Sequence, residues 1–290
     1  MPLERTSPCK VNFLLNILGR RPDGFHELET LMHPVPLHDR LTFERAAAGV
    51  ELTCDDPRLP VDASNLVHRA ATAFFTRAGI REGVRVHLAK QIPMAAGLGG
   101  GSGNAATTLL GLNELFDQPL DAAALQELAA GLGSDVPFFL QSRPALAVGR
   151  GERVTSLDPF ACLRGMPMVL IHPGFGIATA WAYQQLANFP GALHGRPGRA
   201  EALAQALAAG EVAMAGRQFY NSLEAPALHK YPVLQLYQEF FRGHGAWVSL
   251  MSGSGSTTFA IFPRDHAVAT TVERFKARFG DHGWLAVVTL

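Results

Sequence analysis

The spacing of apolar residues predicts a chain that opens with strands and then alternates helices with strands. Lys10–Leu18 is apolar-rich and Leu41–Glu44 resumes an extended pattern, while the Pro, Asp and Gly of residues 20–24 predict an intervening turn. The start of the chain is therefore a predicted β-hairpin. Apolar positions at helical spacing predict a helix over Asn65–Ala78, and strict alternation predicts a half-buried strand over Val84–Leu88.

Two further helices are predicted in the first half of the chain. One has apolar residues at helical spacing over residues 105–116, and either Asn104 or Ser102 can act as its capping residue. The other covers Ala122–Leu132, with Asp121 as its N-cap and a glycine just beyond its end. The first half of the chain is predicted to be richer in strands than the second.

The second half of the chain has a regular order of elements. Pro144–Asp158 is predicted to be irregular, so we place a domain boundary there, with domains at 1–155 and 156–290. Beyond it, a loop is predicted over Phe189–Gly198. The other predicted segments are strand Met168–His172, helices Ala200–Ala209 and Val233–Arg242, strands Ala246–Met251 and Thr257–Phe262, helix His266–Phe279 and strand Trp284–Leu290. Strand, helix, strand, strand, helix, strand is the ferredoxin-like order.

Composition narrows the class of protein. The 290 residues are 48% hydrophobic and 17% charged, which suits a globular protein with a sizeable core. Basic and acidic residues balance at 25 each, so we expect no nucleic-acid partner. The three cysteines are scattered, which argues against disulfides or structural zinc and favours the cytoplasm. The apolar stretch near the N-terminus is interrupted by asparagines, so we expect neither a signal peptide nor a membrane span.

Pro93–Asn104 is the most informative segment. It reads PMAAGLGGGSGN and lies between a predicted strand and a predicted helix. Its glycines let the backbone approach a ligand and turn its N–H groups inward, and the following helix points its positive end at the same place. A flexible linker or packing turn is the competing interpretation, but a linker seldom runs directly into an amphipathic helix. We therefore predict a site for a phosphate chain.

Two other phosphate motifs do not fit this segment. A Walker loop needs Lys followed by Ser or Thr, whereas Ser102-Gly103-Asn104 stands at the only available positions. Residues 101–106 match the G-x-G-x-x-A dinucleotide fingerprint. A Rossmann unit, however, needs a strand after this helix, and Ala122–Leu132 is predicted to be a second helix.

The glycine segment resembles the nucleotide loop of the GHMP kinases, and three other segments strengthen the likeness. These are SPCKVN at residues 7–12, GSDVPFF at 133–139 and MSGSGST at 251–257. The resemblance covers essentially the whole chain. It implies an α+β, two-domain GHMP kinase fold, with an N-terminal ribosomal-protein-like α/β domain and a C-terminal ferredoxin-like domain.

The resemblance also implies a reaction and its cofactors. The chain is expected to use ATP and Mg²⁺ to phosphorylate a small-molecule alcohol, with Asp135 as catalytic base and Lys10 as the cation beside it. Ser102 is a possible Mg²⁺ ligand, and the remaining metal ligands are unknown. The residues expected to bind the nucleotide are Pro93, Met94, Ala95, Ala96, Gly97, Leu98, Gly99, Gly100, Gly101, Ser102, Gly103 and Asn104.

Within the family, the segments SPCKVN, RPDGFH and DVPFF resemble the branch that acts on a cytidyl-bearing alcohol. Asn12, Phe25, His26 and Tyr183 are then the expected substrate contacts, since His26 can hydrogen-bond a cytosine edge and the rings can stack on the base. Two departures stand out. Ala95-Ala96 replaces a more glycine-rich pair, and Phe25 stands where a tyrosine is common.

Each of these residues also has an ordinary interpretation. Asp135 could be a turn former, Lys10 a surface lysine, and Asn12 and His26 structural residues. Residues 252–256 could form a nest of N–H donors for phosphates or a plain hairpin loop. Lys90 is a candidate contact for adenine.

Several functional alternatives stay open. A GHMP kinase for mevalonate, phosphomevalonate, homoserine or a sugar is one, and a noncatalytic nucleotide-binding sensor on the same fold is another. No membrane partner is expected, and the protein is expected to be a monomer or a homodimer.

Overall fold

The computed structural model describes residues 2–281 and 283–290 and combines helices with antiparallel and parallel strands. The strands are β1 (Leu3–Arg20), β2 (His26–Ala46), β3 (Val50–Cys54), β4 (Gly83–Ala89), β5 (Ala145–Gly149), β6 (Arg153–Ser156), β7 (Pro167–His172), β8 (Tyr220–Asn221), β9 (Val248–Met251), β10 (Thr258–Ile261) and β11 (Trp284–Thr289). The helices are α1 (Leu66–Ala78), α2 (Gly100–Leu115), α3 (Ala122–Leu132), α4 (Thr179–Gln185), α5 (Pro190–Leu193), α6 (Arg199–Ala208), α7 (Val212–Gly216), α8 (Glu224–Lys230), α9 (Val233–Gly243) and α10 (Val268–Phe279). The predicted α+β class is confirmed.

Capping residues explain where helix α1 begins and ends. The side chain of Asn65 accepts a hydrogen bond from the backbone N–H of Val67, and Gly79 takes a left-handed conformation at the other end, with φ of 67°. The buried face of α1 includes Val67 and Phe74. The predicted helix over Asn65–Ala78 is thus confirmed, with Asn65 as its cap.

Helix α2 begins earlier than the sequence suggested. Its N-cap is Gly99, with φ of 69°, and its first turn is built from the glycine run itself. Ser102 and Asn104 therefore lie inside the helix, and the prediction that either caps it is wrong. Because glycine has a low helix propensity, the sequence did not predict this first helical turn. Glycine nevertheless adopts the positive φ of the N-cap without strain.

The residues divide into two compact units, and each is assembled from separate stretches of chain. The first unit takes the chain up to Cys9, Leu37–Ile92 and Gly99–Ser142. In it, β4 pairs antiparallel with the end of β2, Arg40 opposite Ala89, and parallel with β3. Helices α1, α2 and α3 belong to the same unit. A Cβ at Gly111 of α2 would lie 2.7 Å from the ring of Phe43, so this glycine permits close packing of helix on sheet.

The second unit contains the ferredoxin-like sheet. It takes Lys10–Pro36, Pro93–Leu98 and Arg143–Leu290, and four of its strands lie in the order β11-β7-β10-β9. Helices α9 and α10 cover one face, where the Phe241 and Phe275 rings stack with centroids 5.0 Å apart. The predicted order of strands and helices is confirmed, although short helices α4, α5, α7 and α8 interrupt segments that carried no clear period.

Pro144–Asp158, predicted to be irregular, forms a hairpin instead. Strand β5 pairs antiparallel with β6 and also with β2, where Leu28 lies opposite Gly149. The prediction failed because these strands are short and built partly from alanine and glycine, which carry little strand signal. The division into 1–155 and 156–290 stays a prediction, since each compact unit draws on several stretches of chain. Within the described residues, no helix has the length and apolar character needed to cross a bilayer.

Helix α3 offers a test of local stability, because its cap is a single exposed side chain. Asp121 accepts a hydrogen bond from the N–H of Ala124 at 2.8 Å. We expect Asp121→Ala to lower the free energy of unfolding by about 1 kcal/mol in urea titrations, because that donor loses its partner. Asp121→Asn keeps an oxygen acceptor and should cost less. Equal losses in the two variants would show that the cap does not stabilise this helix.

Candidate active site

The first half of the glycine loop, Pro93–Leu98, packs in the second unit against the turn at residues 252–256. Gly97 has φ of 75°, and a Cβ on it would overlap the carbonyl oxygen of Ser252 and lie 3.0 Å from the N of Gly255. The Ser252 hydroxyl donates to the carbonyl of Gly97 at 2.9 Å. The backbone N–H of Lys10 donates to the carbonyl of Leu98 at 2.9 Å. This half of the loop is therefore held by backbone contacts that leave no room for a side chain at Gly97.

Lys10 lies beside this contact and is not a surface lysine. Its side chain is buried, with 3% exposure, and its Nζ donates to Asn12 Oδ1 at 2.6 Å. Asn12 Nδ2 in turn donates to Thr30 Oγ1 at 2.8 Å, and the Thr30 hydroxyl donates to the carbonyl of Leu14 at 2.6 Å. This chain of bonds fixes the orientation of the Asn12 amide, with its oxygen towards the ammonium group.

The turn at residues 252–256 lies against Lys10 and Asn12 and is itself held by hydrogen bonds within the protein. The N–H of Ser252 donates to Thr257 O and the N–H of Gly255 donates to Ser252 O, each at 2.9 Å. Ser252 Oγ also accepts from the N–H of Asn12 at 3.4 Å. Because the Ser252 and Gly255 amides are used inside the protein, the prediction that this segment presents a nest for phosphates does not hold for those two groups.

Two residues that the sequence analysis did not identify, Asn221 and Glu224, form hydrogen bonds to the backbone at Met251 and Gly253. Asn221 Nδ2 donates to Met251 O at 2.8 Å and to Gly253 O at 2.7 Å. Glu224 accepts from the N–H of Met251 at 2.8 Å and from Gln238 Nε2 at 2.6 Å. Burial raises the pKa of Glu224 to about 7, against the opposing hydrogen bonds from Met251 and Gln238. The only sequence signal was two polar residues within a largely apolar stretch.

The second half of the glycine loop, Gly99–Asn104, lies in the first unit. A Cβ at Gly103 would lie 2.6 Å from the carbonyl oxygen of Pro8, so helix α2 starts in close contact with β1. The Asn104 Nδ2 donates to Asp39 Oδ2 at 2.9 Å and to Ser7 Oγ at 3.0 Å. The Asn104 amide is therefore part of an internal network, and its predicted nucleotide contact stays a prediction.

Asp39 is the centre of that network. It is fully buried, forms an ion pair with Lys90, and accepts hydrogen bonds from the N–H groups of Gln91 and Ile92 at 2.8 and 2.9 Å. Lys90, proposed from the sequence as a candidate contact for adenine, has its ammonium on this carboxylate. This buried ion pair fixes the chain directly before the glycine loop. Losing either partner would be costly, because the other charge would stay buried and uncompensated.

Asp135 lies in the first unit, in the turn that follows α3. It is half-buried and precedes the buried residues Val136, Pro137, Phe138 and Phe139. The N–H of Val136 donates to Gly133 O at 3.1 Å and closes the turn. The apolar residues that follow Asp135 are buried, while the surroundings of its carboxylate and its pairing with Lys10 stay predictions.

The structure brings His26 and Tyr183 together in the second unit. Their ring centroids are 5.1 Å apart, with the planes tilted by 41°. Burial and the charge of Arg20 lower the pKa of His26, which favours the neutral imidazole with one donor and one acceptor nitrogen. Phe25 is 53% exposed, and the guanidinium of Arg150 lies 4.8 Å from its ring centroid. One face of the Phe25 ring is therefore occupied by a cation.

The fold and the site define an α+β protein whose glycine loop enters a helix N-terminus, the arrangement that nucleotide-dependent enzymes use to bind phosphate. Models of the GHMP kinases N terminal domain and of the GHMP kinases C terminal region match residues 65–143 and 197–281. The chain belongs to the GHMP kinase family. It is therefore an ATP-dependent kinase of small molecules.

The individual relatives of this chain share one enzyme name. The chain is 40% identical over 280 residues to the 4-diphosphocytidyl-2-C-methyl-D-erythritol kinase of Synechococcus sp. (strain JA-2-3B'a(2-13)), covering 94% of this chain and 89% of that protein. It is 38% identical to the kinase of the same name from Citrifermentans bemidjiense, covering 98% and 97%. A crystal structure of 4-(cytidine 5'-diphospho)-2C-methyl-D-erythritol kinase matches with a TM-score of 0.77 and 37% identity, covering 99% and 100%.

The raised pKa of Glu224 predicts a specific pH dependence. A carboxyl that titrates near 4.5 when unfolded and about 7 when folded stabilises the folded state less as pH rises between those values. We expect Glu224→Gln, which cannot ionise, to gain melting temperature relative to the parent over that window, with no further gain above it. The readout is the difference in melting temperature at each pH.

Glu239→Gln supplies a matched substitution on the exposed side of α9. A Glu224→Gln difference that stays constant from pH 4.5 to 7 would contradict the assignment of a buried, proton-binding carboxyl.

Proposed function

We propose that the chain transfers the γ-phosphoryl group of ATP to the 2-hydroxyl of 4-diphosphocytidyl-2-C-methyl-D-erythritol, in the non-mevalonate route to isoprenoid precursors. The observation that carries the proposal is the shared name of relatives at 35–42% identity over most of the chain. The site described above supplies residues suited to both ends of such a substrate.

In this proposal the nucleotide phosphates bind the glycine loop Pro93–Asn104. Bare backbone N–H groups and the positive end of α2 favour the negative charge of a phosphate chain. The rigid seating of Gly97 against the turn at 252–256 supports this role, because phosphoryl transfer depends mainly on positioning and on charge stabilisation.

Asp135 is proposed as the base and Lys10 as the cation of the transfer. The carboxylate of Asp135 accepts the proton of the attacking hydroxyl, and its half-buried position supports a group partly shielded from water. The ammonium of Lys10 balances charge that develops on the transferring group. Its burial and its bond to Asn12 support a held, rather than a mobile, cation.

His26, Tyr183, Phe25 and Asn12 are proposed as the substrate contacts. A neutral His26 can donate to and accept from a cytosine edge, and Tyr183 provides a ring wall beside it. Phe25 offers the face that Arg150 does not cover. Asn12 is held for this role by its hydrogen bonds with Lys10 and Thr30.

Mg²⁺ is proposed as the metal that accompanies ATP. Among residues 2–281 and 283–290, no group of three or more His, Cys, Asp or Glu side chains could hold a metal. This fits Mg²⁺ in a kinase, which is held largely by substrate phosphates and water with one or two protein oxygens. Ser102, half-buried in the first turn of α2, is the proposed protein oxygen, and the ion would neutralise phosphate charge.

Thiol chemistry supports a cytoplasmic location. Cys54 and Cys162 are free thiols, as a reducing compartment favours. The proposal includes a small-molecule substrate, no nucleic-acid or membrane partner, and a monomeric or homodimeric state.

A panel of alcohols tests the proposed function. The fold is shared with a homoserine kinase from Cytophaga hutchinsonii ATCC 33406, with a TM-score of 0.78 at 20% identity, so the fold alone does not choose a substrate. We expect ATP-dependent ADP release with the cytidyl substrate and none with mevalonate, phosphomevalonate, homoserine or a sugar. Turnover of another alcohol would reassign the substrate, and ATP binding without any turnover would favour the noncatalytic sensor.

Replacing the proposed base gives a direct prediction. We expect Asp135→Asn to fold normally and to lose on the order of 10² to 10⁴ in kcat, because the amide cannot accept the hydroxyl proton. Single-turnover kinetics at saturating ATP and alcohol measure this step. Asp117→Asn, on an exposed side chain of the same unit, is the matched substitution. An unchanged kcat would reject Asp135 as the base.

A further inference from the structure

We infer that Asn221 is a positioning residue of the kinase, which sets the phosphate loop and Lys10 through the turn at residues 252–256. The inference rests on the role proposed for Lys10. Asn221 is 2% exposed and lies at the end of β8, a strand that pairs parallel with β1. Its partners are backbone atoms of the turn, so its position reflects the turn's shape.

The Asn221 amide is fully committed and its orientation is fixed. Its Oδ1 accepts from the N–H of Leu223 at 2.9 Å, and its Nδ2 donates to both Met251 O and Gly253 O. Because a primary amide has only two donor hydrogens, both are used on the same turn. One side chain thus links the carbonyls on the two sides of Ser252.

The proposed reacting groups contact the same residue of this turn, Gly253. A Cβ at Gly253 would lie 3.4 Å from Lys10 Nζ, 3.3 Å from Asn12 Oδ1 and 3.0 Å from Gly97 O. The backbone that Asn221 holds is therefore in contact range of the ammonium, of its amide partner and of the phosphate loop. A shift of Gly253 by a fraction of an ångström would displace one of the three.

Asn221 and Glu224 hold different parts of this turn. Glu224 holds only the N–H of Met251, at the end of β9, and Gln238 and Arg242 continue that network away from the loop. Asn221 alone among these residues bonds to Gly253, the residue of the turn on which a Cβ would lie 3.4 Å from Lys10 Nζ. Positioning of the ammonium is thus assigned to Asn221.

Two variants separate positioning from folding. Asn221→Ala removes both donors, and Asn221→Asp keeps the size and the Oδ1 acceptor but places a second oxygen against two carbonyl oxygens. We expect each to lower kcat about 10- to 100-fold, because small displacements of reacting groups have effects of this size. KM for ATP and for the alcohol should change by a smaller factor, since Lys10 acts on the transferring group.

Asn113→Ala is the matched control. Asn113 is also a buried asparagine, with its amide bonded to the N–H and the carbonyl of Leu120, but it lies at the far end of α2 from the glycine loop. We expect it to lower the melting temperature as the Asn221 variants do, with kcat per folded molecule within about twofold of the parent. An equal fall of kcat in Asn113→Ala would overturn the inference.

A double-mutant cycle with Lys10→Ala completes the test. If Asn221 acts through Lys10, the loss in kcat for Asn221→Ala should be much smaller in the Lys10→Ala background than in the parent. Additive losses, or Asn221 variants that keep the parent kcat, would overturn the inference. Failure of the proposed substrate would appear separately, as a parent protein that releases no ADP with the cytidyl alcohol.

Discussion

The second unit depends on one close approach of two backbones, that of Gly97 and that of the turn from Ser252 to Gly255. Any side chain at Gly97 would collide with the Ser252 carbonyl, and one at Gly253 would press on Gly97 O, Asn12 and Lys10. Gly97, Gly253 and Gly255 all have positive φ, with values of 75°, 56° and 86°. Glycine is required here both for space and for backbone conformation.

This approach places the ammonium of Lys10 and the phosphate loop within contact range of the same residue, Gly253. The backbone N–H of Lys10 donates to the carbonyl of Leu98 in the loop, and its side-chain ammonium donates to Asn12 Oδ1. In the first unit the loop's second half is held differently, since Asn104 donates to Asp39, the buried ion-pair partner of Lys90. Each unit thus fixes its own half of the loop by buried polar groups that would be costly to leave unpaired.

The sequence predicted what depends on local signals. The extent of α1, the N-cap of α3, the ferredoxin-like order and the position of the glycine loop all follow from spacing, capping residues and glycine content. The contacts that build the site were not predictable in this way, since Asn221 and Gly253 are 32 residues apart and Ser252 and Gly97 are 155 apart. The roles of Lys10 and Asp135 came from the family resemblance, because the residues alone allowed a surface lysine and a turn former.

The geometry of β2 relates the two ends of the proposed substrate. Asn12, beside Lys10, bonds to Thr30, and His26 lies four residues earlier on the same strand. At about 3.3 Å per residue the imidazole is roughly 13 Å from the Thr30 position along the strand. A base held by His26 and Tyr183 would therefore be separated from the reacting hydroxyl by an extended linker, as a diphosphate provides. Under the proposed contacts, a compact alcohol such as homoserine could occupy only one of these two ends, and the strand that joins them would then favour the longer substrate.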